Sequence, residues 1–309
     1  MTKTNIAIII PTYNSSRYTK EFIKGAIEVV REIDDCAFAF MFVDDGSTDD
    51  TVQELKRLKL VYPNIKILEF TKNYGQTAAL LAGLKHIKAD AYILMSVDMQ
   101  ESPHLIKDFI THWKKGYKLC IAYRKYRSDA FAGILISKIF YTIIRIDKPD
   151  IPKGGFDYGL LDKEVAEVLI DRPFNFRFLQ GDIVDLGFET MYFPCERVRP
   201  QLSAGRNNFS MFKFNYFFDG IINVVRIPIK IILLLSSILS ISLATVLTYK
   251  LVSKFVWGAS VSTTTLITLS NYMFLSFLLI MLCIIIEFAY RIFGLVSKKT
   301  EYTIRDFTQ

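Results

Sequence analysis

The sequence predicts an α/β domain on a mostly parallel sheet, followed by an amphipathic segment and a pair of helices long enough to cross a bilayer. Three observations predict it. Short apolar runs alternate with helix-period segments through the first half of the chain, the pattern of βαβ units with right-handed crossovers. Each of the first four apolar runs ends in a polar cluster: PTYNSS, DDGS, NYGQ and SVDMQE. Beyond Pro228 charge nearly vanishes over two long stretches.

The elements follow in order. Residues 6–10 form a continuous apolar run, as expected of a strand buried on both faces. A helix pattern covers 18–32. Residues 37–43 read as the second strand, and a helix starting at Asp49 or Asp50 runs through Leu60. Residues 65–70 read as the third strand; Lys66 and Glu69 interrupt it and predict weaker burial. A helix of small and apolar residues covers 77–87. The fourth strand opens the stretch 91–101, on which the rest is organised. Ser102 as N-cap and Pro103 at the first helical position then start a helix to Lys114. Residues 118–123 read as a fifth strand, 128–146 as a helix with an apolar face, 160–171 as another helix, and 190–193 as a further strand.

Open α/β sheets bind ligands outside the carboxyl ends of their strands, so four polar clusters in that position describe one cleft. It holds carboxylates, amides and a tyrosine, but no histidine. Such a set suits a nucleotide base, a ribose and a divalent cation, and suits a Ser-His-Asp nucleophile poorly. No GxGxxG follows the first strand and no GxxxxGK[ST] occurs, which weakens dinucleotide and P-loop readings. Asp98, closing the fourth strand, is the leading candidate; alternatively it only organises a strand-to-helix turn.

Composition narrows the classes further. The 309 residues allow one mid-sized domain and something extra. The 51% hydrophobic content and mean hydropathy of +0.27 are concentrated after Pro228. Net charge is +7. Its basic residues are scattered through the first domain and gather near the apolar stretches, which favours anionic headgroups over nucleic acid. Cys36, Cys120, Cys195 and Cys283 are far apart without a CxxC, so neither a zinc site nor a disulfide framework is expected. Residues 1–5 run directly into 6–10, which Pro11 breaks, without the pattern of a signal peptide, so the first domain is expected to stay in the cytosol.

The segments IPTYNSS, VDDGSTDDT, NYGQTAALLAGL and SVDMQE, in this order, resemble glycosyltransferase family 2. Within it the chain is similar to the polyprenyl-phosphate group, which includes bactoprenol glucosyltransferase and dolichol-phosphate mannose synthase. The resemblance implies the GT-A fold (Rossmann-like, mostly parallel sheet), a nucleotide-sugar donor, Mg²⁺ or Mn²⁺, and inverting transfer. Carried over residue by residue, Pro11, Tyr13 and Asn14 match the first nucleotide-contacting loop. Asp44 and Asp45 match the acidic pair facing base and ribose. Asn73 and Gln76 match the third loop. Asp98 and Gln100 match the end of a metal-binding segment usually written DxDLQ, with Ser96 standing where its first Asp is expected. Asp98 would then hold the metal together with diphosphate oxygens and water. Glu101 either compensates or is a helix-start acid.

Arg124 and Arg127 match an R-x-x-R element facing the acceptor phosphate, and guanidinium forks suit phosphate geometry; the plain alternative is a solvated basic loop. Asp157 resembles an acidic position near the transfer centre, or is a turn carboxylate. Gly154-Gly155 beside it permits close backbone approach. Gly181-Asp182-Ile183 and Gly187-Phe188 match the family's stretch before the strand at 190–193. Arg199 and Arg206 resemble a loop closing over the donor diphosphate, where Asn207 replaces a usual Ser; contact with lipid headgroups is the alternative.

The expected organisation is a cytosolic GT-A domain at 1–208, a juxtamembrane amphipathic helix at 209–227, transmembrane helices at 228–252 and 264–288, and a cytosolic tail at 289–309. Phe209, Phe212, Phe214, Tyr216, Phe217 and Phe218, interleaved with Lys213 and Arg226, mark the interfacial segment. At ~1.5 Å per residue the uncharged stretches reach across a ~30 Å hydrocarbon core. Flanking basic residues place both ends in the cytosol, where Glu287 and Arg291 can pair one turn apart. The expected reaction moves a single sugar, from a UDP-sugar by the usual bacterial pattern, to undecaprenyl phosphate at the cytosolic membrane face, giving a lipid-linked sugar for envelope glycans. Another glycan or lipid acceptor, or a non-catalytic nucleotide-sugar-binding membrane partner, are the alternatives. A separate flippase and downstream transferase would move and use the product, and homo-oligomerisation stays open.

Overall fold

The structure, a computed structural model, describes residues 3–98, 103–124, 141–142, 144–145, 149–152, 155–156, 158–172, 179–195, 227–258, 260–296 and 302–309. The chain divides into two compact units: Met1–Gly220 with Lys299–Gln309, and Ile221–Lys298.

The strands of the first unit are β1 (Thr4–Thr12), β2 (Cys36–Asp44), β3 (Ile65–Phe70), β4 (Ala91–Leu94), β5 (Leu119–Arg124), β6 (Tyr158–Asp162), β7 (Thr190–Cys195) and β8 (Ile304–Thr308). Its helices are α1 (Ser16–Val30), α2 (Thr51–Val61), α3 (Gln76–His86), α4 (Leu105–Lys114), α5 (Lys163–Asp171) and α6 (Leu179–Val184). The sheet order is β7-β5-β6-β4-β1-β2-β3-β8. β1 pairs in parallel with β2 and β4, β2 with β3, and β5 with β7; β6 and β8 run antiparallel to their neighbours. This is the mostly parallel α/β sheet that the sequence predicts.

Alternation along each strand feeds two apolar layers. Ile6, Ile8, Ile10, Phe40 and Phe42 pack with Phe22 and Ile23 of α1, Leu55 of α2 and Phe109 of α4. Ala7, Ile9, Met41 and Val43 pack with Ala79, Leu81 and Leu84 of α3 and with Val165 and Leu169 of α5. Helices on both faces explain why 6–10 is one uninterrupted apolar run. Gly83 lets α3 lie close on the sheet: a Cβ there would sit 2.3 Å from Ile9 Cγ2.

Three local expectations change. The helix read over 160–171 starts only at Lys163, because residues 158–162 form β6 between β4 and β5. Tyr158, Leu160 and Leu161 are buried there, on opposite faces of the sheet. Asp162 caps α5 by accepting the Glu164 N–H at 3.0 Å. The helix after β4 begins at Leu105 with His104 before it, not at Pro103; the Pro103 carbonyl instead accepts the Ile106 N–H in the preceding turn, and Ser102 lies outside the described residues. β3 is as buried as its neighbours despite its two charges. The reason is β8, which covers its edge in antiparallel register. Lys56 Nζ lies 2.7 Å from Glu69 Oε1 and 3.7 Å from Asp306 Oδ2, bridging two carboxylates that face each other across the strands. The end of the segment 289–309, read from the sequence as a tail, is thus a strand of the sheet.

The second unit holds α7 (Ile227–Val256) and α8 (Thr263–Val296), 30 and 34 residues long. Within them Leu233–Val256 and Thr263–Ala289 are long and apolar enough to cross a membrane, and only 6% and 11% buried. Helices of a soluble core would be mostly buried; these expose Leu234, Leu235, Phe274, Ile285 and Phe288. The two contact through small residues: the hydroxyls of Ser240 and Ser276 are 2.6 Å apart, and Ser236 and Ser276 are buried. Small, hydrogen-bonding residues let apolar helices approach each other closely. The expected amphipathic segment, apart from Ile227 at the start of α7, lies outside the described residues.

Candidate active site at the carboxyl edge of the sheet

The parallel strands bring the ends of β1, β2, β3, β4 and β5 to one edge, and the loops after the first three are tied into one body. After β1, Asn14 adopts φ +48°, a left-handed conformation that Asn tolerates better than most residues. From it the Asn14 N–H donates to Ser47 Oγ at 2.9 Å, and Asn14 Oδ1 accepts the Thr48 N–H at 2.9 Å. The Ser15 N–H donates to Thr51 Oγ1 at 2.7 Å.

After β2, Asp44 accepts the Ser47 N–H at 2.9 Å and the Ser47 hydroxyl at 2.5 Å. Asp45 accepts the Tyr74 N–H at 2.6 Å and the Gly75 N–H at 2.9 Å, one on each oxygen. Gly46, at φ +72°, lies so close to the third loop that a Cβ would be 2.6 Å from the Lys72 carbonyl carbon. Asp44 and Asp45 are 2% and 4% exposed. Both carboxylates, expected to face base and ribose, accept from the protein's own donors.

Burial raises both acids. Asp44 is pushed up by desolvation against the hydrogen bonds from Ser47. Asp45 is pushed up to about 6 by desolvation, opposed by the Tyr74 and Gly75 N–H groups and reinforced by the charge of Asp44. The folded chain therefore holds a proton on Asp45 more tightly than the unfolded chain does. The resulting stabilisation is complete below pH 3.8 and is lost as pH rises through about 6. Thermal melting of the purified chain from pH 4 to 7 should show this decline, and Asp45→Asn should flatten it. At pH 7 the same variant should melt lower, since its amide NH₂ faces a backbone N–H.

Three candidates stand open to ligand. Tyr13 is 42% exposed, and Asn73 and Gln76 are exposed on the third loop and at the start of α3. No side-chain hydrogen bond caps α3, which begins at Gln76 directly after the third loop; uncapped helix N-termini suit anions. Pro11 is half-buried near the end of β1. The Met95 N–H donates to the Ile9 carbonyl at 3.1 Å and extends the ladder past β4. Half-buried Ser96 and Asp98 follow, either side of buried Val97. Arg124 closes β5 in register with Cys195. Gln100, Glu101, Arg127, Asp157, Arg199 and Arg206 lie outside the described residues. Among the described residues no three His, Cys, Asp or Glu side chains cluster as metal ligands.

The structure therefore separates residues whose side chains tie the loops together (Asn14, Asp44, Asp45) from exposed ones at the same edge (Tyr13, Asn73, Gln76), with half-buried Asp98 after β4. Sequence reasoning did not single out Ser47, Thr48 and Thr51, whose hydroxyls and N–H groups make the lock. Their only signal was the density of hydroxyl and acid side chains in 44–51.

An open α/β sheet with acid- and amide-bearing loops along its carboxyl edge is a framework that offers a ligand cleft at that edge. The chain belongs to glycosyl transferase family 2, whose model matches residues 7–169, from β1 into α5, and it is a glycosyltransferase. It is 31% identical to CsbB of Bacillus subtilis over 227 residues, 73% of this chain and 68% of that protein. It is 29% identical to the bactoprenol glucosyl transferase of Shigella phage SfV over 229 residues, 73% of this chain and 74% of the relative. Among solved structures it resembles the mannosyltransferase PcManGT of Pyrobaculum calidifontis in complex with GDP-Man and Mn²⁺. The TM-score is 0.46 at 14% identity, over 96% of this chain and 88% of that one.

Proposed function

We propose that this glycosyltransferase moves one sugar from a nucleotide-sugar, most simply a UDP-sugar, to a polyprenyl phosphate at the cytosolic face of a membrane, with inversion at the sugar. One observation carries the reading: a family 2 sheet domain is joined in the same chain to two helices of membrane length. Similarity to bactoprenol glucosyl transferases supports the lipid acceptor.

In this reading Pro11, Tyr13, Asn73 and Gln76 receive the base and ribose, while Asn14, Asp44 and Asp45 keep their loops in place. Asp98 and Gln100 face the donor diphosphate, and Arg199 and Arg206 close over it. Asp98, in the turn after β4, would hold a Mg²⁺ or Mn²⁺ together with donor phosphates, since Mg²⁺ commonly binds through one or two carboxylates plus phosphates. When bound, such an ion neutralises charge on the departing nucleoside diphosphate. The acceptor phosphate is already ionised near neutral pH, so the chain need not supply a strong base. It must instead hold two anionic groups in one cleft. Arg124 and Arg127 clamp the acceptor phosphate, and Asp157 orients it.

The test is incubation of purified full-length protein with radiolabelled nucleotide-sugars, Mn²⁺ and undecaprenyl phosphate. Label extractable into organic solvent is the expected result. Label on a polar glycan would redirect the acceptor. Donor binding without turnover would favour a non-catalytic partner, a reading for which Ser96 in place of an acid speaks. In the same assay Arg124→Ala with Arg127→Ala should raise the apparent KM for the lipid about tenfold or more, given the strength of charge-assisted phosphate contacts, and the donor KM much less.

A further inference from the structure

We infer that the carboxyl-terminal segment 302–308 is a positioning element for the donor loop 71–75, acting through Tyr302, Thr303 and Arg305. This deepens the reading above and rests on it, since it assumes that the loop presenting Asn73 and Gln76 takes the nucleotide.

β8 does more than cover β3. Its register runs Ile67 with Thr308, Leu68 with Phe307 and Glu69 with Asp306, then shifts so that Phe70 faces Ile304. Arg305 is the residue left over by that shift. A residue bulged out of the ladder is free to aim its side chain elsewhere, and Arg305 Nη2 donates to the Thr71 carbonyl at 3.2 Å. Pairing then continues past the end of β3, where the Thr71 N–H donates to the Thr303 carbonyl at 3.0 Å. Thr71, the first residue of the loop, is thus held through both of its main-chain polar groups by the far end of the chain.

Side chains extend the hold. Hydrogen bonds from Thr303 and Thr71 to the Tyr74 hydroxyl keep its pKa below the ordinary value. The Tyr302 ring stacks on Phe70 with centroids 4.9 Å apart and planes at 17°, and Phe70 meets Tyr74 edge-on at 5.6 Å. His86, at the end of α3, lies against both Tyr302 and Phe307. Asp45 grips the loop from the other side through the Tyr74 and Gly75 N–H groups. The loop is therefore suspended between β2 and the carboxyl-terminal strand, with Asn73 and Gln76 exposed in between. Gripping only one side would leave that pair free to move against the base and ribose.

The test uses the full chain in lipid nanodiscs. Thr303→Val with Arg305→Ala should raise the apparent donor KM about tenfold, the worth of two lost hydrogen bonds. The kcat and the KM for undecaprenyl phosphate should stay within about twofold, well under the worth of one hydrogen bond. Thr303→Ser, which keeps the hydroxyl, should behave as the parent. Amide hydrogen exchange at 71–75 should quicken in the double variant, and that at 6–10 should not. An unchanged donor KM, or an equal rise in both KM values, would overturn the inference. If the parent chain transfers no sugar, the proposed function falls instead. The strand is then judged by exchange and by UDP titration: faster exchange at 71–75 with weaker UDP binding sustains it, and unchanged exchange overturns it.

Discussion

Replacing Asp98 with Ala is expected to lower kcat about a thousandfold, because metal neutralisation of a leaving group is worth several kcal/mol and each ~1.4 kcal/mol is a factor of ten in rate. The expectation rests on position. Asp98 closes the polar turn after β4, beside β1 and at the same edge as Asn73 and Gln76. Asp44 accepts from Ser47, and Asp45 from Tyr74 and Gly75, so these two acids hold the second loop to itself and to the third. Ser96, two residues earlier, offers a hydroxyl in place of a carboxylate. Two measurements accompany the rate. UDP binding to the parent should tighten with Mn²⁺, and in Asp98→Ala it should lose that dependence. The melting temperature should stay near the parent's, since the side chain is only half-buried. Unchanged turnover would refute the assignment of Asp98 to the metal, and retained Mn²⁺ dependence would move the ion elsewhere.

The second large effect is expected at Gly46. Two glycines share almost the same positive φ, Gly46 at +72° and Gly187 at +70°, so a methyl group at either meets a left-handed cost of about 1–2 kcal/mol. Their surroundings differ. A Cβ at Gly187 meets nothing within 4 Å, whereas one at Gly46 meets the backbone of Lys72 and Asn73 at 2.6–2.9 Å. Backbone cannot swing aside as a flexible side chain can. Gly46→Ala should therefore cost about 3 kcal/mol or more, within the range of large single-site losses, and Gly187→Ala should cost only its conformational share. Separating the second loop from the third should also raise the donor KM in Gly46→Ala and leave it unchanged in Gly187→Ala. Thermal melting and donor titration of the two variants side by side distinguish clash from backbone preference.

Much of this was legible because buried parallel strands carry a strong signal. The run at 6–10 and the strand before Asp44 could hardly be anything else, and the topology rule then put their following loops on one edge. β6 was hidden because a five-residue strand running directly into α5 shares its apolar residues with a helical pattern. β8 was hidden for a different reason. Ile304, Arg305, Asp306, Phe307 and Thr308 carry little apolar alternation, and what makes them a strand is an unpaired β3 edge more than 200 residues away in sequence. At the site, residue type disclosed that acids and amides gather there. Which acids face inward could not be read from type, since it depends on the Ser47 hydroxyl and on the Tyr74 and Gly75 N–H groups. Asp44 and Asp45 look from sequence like ligand contacts, and the structure adds a second task, the fastening of the loops.

The place of β8 in the sheet imposes an order on biogenesis. Of the strands among the described residues, the ribosome makes seven first, then both long apolar helices, and only then β8. Until the last residues emerge, β3 presents open N–H and C=O groups, the kind of edge that recruits foreign strands and seeds aggregation. Expression fragments trimmed ahead of residue 227 keep that open edge permanently. Both long apolar helices are thereby synthesised before the sheet can gain β8.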